Sequence, residues 1–117
     1  MARKIKAIVK RPDETWGHAC NISNSLQNLQ SIVGGPIETL IIPNGVVLIC
    51  NEEGKLRGLP WNFDVTFHHY INPTDYIETA VPMVGTIIAC GIDEEDFGDI
   101  PKTFADWKDM LRAWGNN

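Results

Sequence analysis

The chain has 117 residues, 44% apolar and 21% charged, with a net charge of −5; this is the composition of one globular domain, 1–117, and excludes disordered and fibrous classes. No apolar run approaches the ~18 residues of a membrane span, and the start Met1-Ala2-Arg3-Lys4-Ile5-Lys6 lacks the apolar stretch expected of a secretory leader. Three widely spaced cysteines, Cys20, Cys50 and Cys90, argue against a disulfide framework and for a reducing, cytoplasmic setting.

Lys4 to Lys10 partly alternates and is β-branched, which predicts a first strand with Ile5, Ala7 and Val9 inward and Lys4 and Lys6 outward. Arg11-Pro12-Asp13-Glu14 is turn chemistry, and Trp16 to Ile22 reads as a second short strand. Ile22, Leu26, Leu29, Ile32 and Val33 recur at helical spacing, with Ser23 placed as the N-cap. Gly34-Gly35 then offers a left-handed stop and Pro36 prevents the helix from resuming.

Ile37 to Ile42 predicts a strand, Pro43-Asn44-Gly45 a hairpin turn, and Val46 to Cys50 a central return strand. Asn51-Glu52-Glu53-Gly54-Lys55 makes a second turn into Leu56 to Pro60, read as the third strand of a meander. Between Trp61 and Pro82 no period is evident, which predicts a long functional loop. Val84 to Cys90 restores a strand, and Asp93-Glu94-Glu95-Asp96 is read as surface. The last element is a helix carrying Phe104, Trp107, Leu111 and Trp114 on one stripe, capped by Thr103 with Asp106 at the capping-box position and stopped at Gly115. The expected fold is α+β, a mostly antiparallel sheet with two helices packed on it.

Charge is segregated. Arg3, Lys4, Lys6, Lys10 and Arg11 crowd the first eleven positions, whereas Gly58 to Pro101 holds eight carboxylates and no Lys or Arg. This predicts an electropositive edge and a separate electronegative region. The edge is too narrow for specific duplex binding, and a net −5 is too modest for an acidic mimic of nucleic acid, the reading that Asp93 to Asp99 invites.

Few residues suggest chemistry. His68 and His69 are adjacent, so on a strand they face apart, and no zinc, calcium, phosphate-loop or dinucleotide pattern occurs. No cofactor or metal is implied. His18 and Cys20, two apart, are the one candidate pair of base and cysteine nucleophile, and a small hydrolase or transferase using His18 and Cys20, or His68 and His69, is the alternative to a binding protein. The richest polar cluster is Asn51 to Lys55 with Asn62. One reading is a solubilised turn; the other is a pocket rim. In the second, Asn51 and Asn62 supply amides, Lys55 and Arg57 positive charge, Trp61 a stacking face, and Lys4 and Lys6 long-range attraction for an anion.

The order of a basic first strand, Leu26-x-x-Leu29-Gln30-x-x-Val33-Gly34-Gly35-x-Ile37-Glu38, Asn51-Glu52-Glu53-Gly54-Lys55, Leu59-Pro60-x-Asn62 and Val84-Gly85-Thr86 resembles a family of small domains of unknown function from bacteriophages and integrated mobile elements. The resemblance spans roughly residues 4 to 91, and Phe63 to Pro82 departs from it as an insertion-like stretch. It implies a genomic context and no catalytic residues. The expected function is a non-catalytic accessory protein, located in the host cytoplasm, that sequesters a small anionic, nucleotide-derived ligand or blocks a host defence protein. No membrane partner is expected. A homodimer built on the aromatic 63–82 segment is a further expectation.

Overall fold

The computed structural model describes residues 2–116. The first strand, β1 (Lys4–Lys10), lies between β2 (His18–Ser23) and β7 (Ile87–Asp93); β7 in turn pairs with β4 (Val46–Asn51), and β4 with β3 (Ile37–Ile42). All of these pairings are antiparallel, and the short β8 (Asp96–Gly98) folds back on β7. The α+β architecture expected from the sequence is present.

Period-two alternation explains the layering. Val47 and Ile49 of β4, Ile88 and Cys90 of β7, and Ile5, Ala7 and Val9 of β1 face one way, onto Leu29 and Val33 of α1 (Leu26–Val33). Val46, Leu48, Ile87, Ala89 and Ile8 face the other way, onto Trp107 and Leu111 of α2 (Phe104–Ala113) and onto Phe63, Val65 and Met83. Both faces of the central strands are therefore buried, which is why β4 and β7 read as continuous apolar runs. The two helices cover opposite faces.

The 61–82 segment is a long hairpin rather than a loop. β5 (Trp61–Tyr70) pairs antiparallel with β6 (Tyr76–Val84), forming a separate two-stranded sheet. Its half nearest the body packs through Phe63, Val65 and Met83; the outer half is exposed on both faces, so no amphipathic period marks it in the sequence. Asn72-Pro73-Thr74-Asp75 makes the tip, with Asn72 Oδ1 accepting from the amides of Thr74 and Asp75. Leu56 to Pro60 is correspondingly not a strand: residues 52–58 are turns, tied by Arg57 N–H to Glu53 O and Leu59 N–H to Gly54 O. The meander stops at β4, whose second neighbour is β7.

Two smaller expectations shift. The N-cap of α1 is Ser25, whose hydroxyl accepts from Asn28 N–H, and Ser23 belongs to β2. Asp93 to Asp96 is the β7–β8 turn, with Glu94 at φ 58°. Others stand: β1 spans Lys4–Lys10, Asn44 and Gly45 turn through φ 76° and 77°, and Thr103 and Asp106 form a reciprocal capping box.

The outer hairpin is fastened to the sheet at Asn62. A register shift between Trp61 and Phe63 lets Asn62 and Phe63 both be buried, which strict alternation forbids. The Asn62 carboxamide donates to Lys10 O and to Gly85 O, both at 2.8 Å, and its oxygen accepts from Lys10 Nζ. One side chain thus joins β1, β5 and the turn between β6 and β7. Asn62→Ala removes all three of these bonds and leaves the buried ammonium without its one side-chain acceptor, so urea unfolding should show a loss of roughly 3 kcal/mol. Asn62→Asp should fail to restore stability, because a carboxylate cannot donate to either carbonyl.

Candidate functional site

Strand parity carries Lys10 inward. Lys10 lies two residues beyond the core residue Ile8, on the same face of β1, and its side chain runs beneath β5 with 4% of the residue exposed. Its ammonium donates to Asn62 Oδ1 and sits 5.6 Å from the Phe63 ring centroid. Lys10 takes part in none of the ion pairs among the described residues. Burial pushes its pKa down, while Glu14 and then Asp13 act from longer range in the opposite sense. The result is a buried cation whose donors exceed its acceptors.

Lys10 lines a cleft of about 210 Å³ bounded by Pro12 to Thr15, Trp61, Asn62, Phe63 and Asn116. Trp61 is 56% exposed, and its Nε1–H is held by Asp64 Oδ1 at 2.8 Å, which fixes the indole while leaving ring surface in solvent. Glu14 on the rim is already engaged: it accepts from the Arg11 amide at 2.8 Å and contacts His18 Nδ1 at 3.1 Å. The Arg11 amide bond is the main cause holding its carboxyl below the ordinary range. Gly17, at φ 80°, lets the 11–17 turn press against β1, where a Cβ would stand 2.6 Å from Val9 O.

The residues singled out in the sequence distribute over several places. Trp61 and Asn62 meet in the Lys10 cleft. Asn51 and Lys55 line a second cleft of about 200 Å³ with Leu40, Leu56, Val81 and Met83. Asn51 itself is buried and occupied: it donates to Val33 O and accepts from Glu53 N–H, fastening the end of α1 to the 52–58 turn. Arg57 donates to Gly34 O at the same helix end. Lys6 borders a shallow groove with Cys20 and Phe104.

Lys4 lies beside Arg3, Asp93 and Asp99, and the two charge blocks meet here. Arg3 pairs with Asp93 at 2.9 Å, the Lys6 amide donates to Asp99, and Asp96 accepts from the Phe97 amide. Separation along the chain has become contact in space, and both fields are reduced.

The chemical alternatives gain no geometry. His18 contacts Glu14, and burial pushes the Cys20 thiol up, away from thiolate. Burial likewise raises Cys50, and Cys90 is pushed up to about 12. His68 faces Glu78 and Tyr76 while its neighbour His69 lies on the opposite face of β5. Among the described residues no three metal-ligating side chains converge, and no helix is long and apolar enough to cross a membrane.

Lys10 is the residue that sequence reading missed as part of a pocket. It counts there as one more charge of the basic edge; the usable signal is its parity with Ile8 in a strand buried on both faces. Residues 5–112 match a family described as a domain of unknown function, DUF3846. No curated protein and no solved structure shows a significant match.

The depressed Lys10 pKa has a signed consequence. Between its folded value and the ordinary value of 10.5 the unfolded chain binds more protons, so stability rises with pH across that window; at lower pH the cost of the buried charge is present in full. The difference in unfolding free energy between wild type and Lys10→Met should therefore move in favour of wild type as pH climbs toward 10.5. A flat difference contradicts a buried, depressed Lys10.

Proposed function

The chain belongs to the DUF3846 family of unknown function, and from that premise we propose that it is a non-catalytic binding protein that captures a small anionic ligand in the Lys10 cleft. The observation that carries this reading is a lysine ammonium, in a residue 96% removed from solvent, with no ion-pair partner among the described residues and a bordering cleft. Glu14 and Asp13 line the same cleft but act on the ammonium only from beyond ion-pair distance, and Glu14 is already engaged by Arg11 and His18. A buried charge without a close partner is costly, and an anion in contact with it offsets that cost. The anion takes the ammonium protons that Asn62 leaves free, and the Trp61 indole offers its π-face to a ring. Asp13 at the rim favours a ligand whose outer part donates hydrogen bonds, as an amino-bearing nucleobase does. A volume of about 210 Å³ suits one base or one phosphate-sized group rather than a polymer.

Capture over conversion is supported by the thiols, which burial holds protonated, and by His68 and His69 facing apart. The bacteriophage and mobile-element setting implied by the sequence resemblance fits a protein that acts by occupying something. Lys55 and Arg57 serve the second cleft and the α1 terminus in this reading, and Lys4 and Lys6 act through the remaining field at the N-terminal edge.

Calorimetric titration against linear and cyclic nucleotides is the test. At least one should bind with unit stoichiometry. Lys10→Met should weaken binding at least tenfold, and Trp61→Ala should weaken it while leaving the unfolding midpoint near wild type. Failure of every nucleotide to bind, together with recovery of a host protein in pull-down, replaces the proposal with protein blockade.

A further inference from the structure

The outer half of the β5–β6 hairpin stands free of the body. Tyr70, Ile71, Tyr76 and Ile77 are between 51% and 69% exposed. A two-stranded ribbon with both faces in water is at best marginally stable, and its unpaired edges are templates for another strand. The two edges differ. Asp64 N–H donates to Asn116 Oδ1 and Asp64 O accepts from Asn116 Nδ2, so the backbone of Asp64 points away from β6 and is already covered. With period two and no register shift beyond Phe63, the backbones of Thr66, His68 and Tyr70 point the same way. On the β6 edge the outward positions are Tyr76, Glu78, Ala80 and Pro82, the partners of Tyr70, His68, Thr66 and Asp64, and Pro82 has no N–H to give.

We propose that the β5 edge pairs with the same edge of a second copy, antiparallel about a two-fold axis at His68, joining two hairpins into a four-stranded sheet. In this register His68 meets the partner's His68, and Thr66 meets the partner's Tyr70, so no carboxylate opposes a carboxylate. Along β6 a two-fold axis at Glu78 sets Glu78 against the partner's Glu78, and an axis at Ala80 sets Glu78 against Pro82, which has no N–H to give, so the β5 edge offers the better ladder. The choice of a second copy over a foreign strand rests on this self-complementarity, which a two-fold contact requires. Asn116, occupying the next outward position, bounds the register toward the body. The proposal is independent of the ligand reading.

Sedimentation equilibrium of the full chain should give twice the mass of one chain at high concentration. His68→Lys, a change at an exposed site, places two ammonium groups opposite each other and should return the mass to that of one chain. His68→Asp should do the same by carboxylate repulsion beside Glu78, and an equimolar mixture of the two variants should recover the double mass. A monomeric wild type overturns the proposal, as does a dimer that His68→Lys leaves intact or a mixture that stays monomeric.

Discussion

The base of the β5–β6 hairpin is fastened to the sheet by the Asn62 carboxamide. Both of its protons and its oxygen are used, on two residues: the carbonyl and the ammonium of Lys10 in β1, and the carbonyl of Gly85 in the turn before β7. Such a fully satisfied buried group ties distant segments together at little net cost, whereas a partly satisfied one is strongly destabilising. The irregular step between Trp61 and Phe63 is what frees Asn62 to turn inward, and the same step leaves Trp61 at the surface. One local departure from strand regularity therefore sets the hairpin's attachment, the acceptor over the Lys10 ammonium and the position of the indole.

Packing around this fastening is aromatic. Phe63 meets Trp107 edge-on at 5.8 Å and stacks on Trp114 at 6.2 Å, so α2 and the hairpin share one core. Trp107 Nε1–H donates to Trp16 O, which brings the turn after β1 under the same cover, and Arg112 lies over the Trp16 ring. These contacts join the 11–17 turn, α2 and β5 around the Lys10 cleft.

How much of this is readable from residues alone depends on whether the signal is local. Helix α2 was legible because Thr103, Asp106 and the Trp107–Leu111 spacing are all short-range, and β3–β4 because Asn44-Gly45 dictates its own turn. The hairpin was not, since its outer half is bare on both faces and alternation carries no information where neither side is buried. Site residues followed the same division. Trp61 and Asn62 can be picked out as chemically apt neighbours, but the lysine that Asn62 holds is 52 positions away in sequence. Asn51 looked equally apt and is instead occupied with the end of α1, a long-range contact that composition does not encode.

A buried cation with no ion-pair partner among the described residues is the feature from which the proposed function starts, and the arrival of an anion beside it can be observed directly. In a titration of isotope-labelled protein with a nucleoside monophosphate, the Lys10 side-chain amine, the Trp61 indole N–H and the Asn62 carboxamide should shift together and saturably, while the Arg57 guanidinium and the Lys55 amine stay where they are and the nucleotide is recovered unchanged. Silence at Lys10 while any other surface responds, or chemical alteration of the nucleotide, contradicts capture in this cleft.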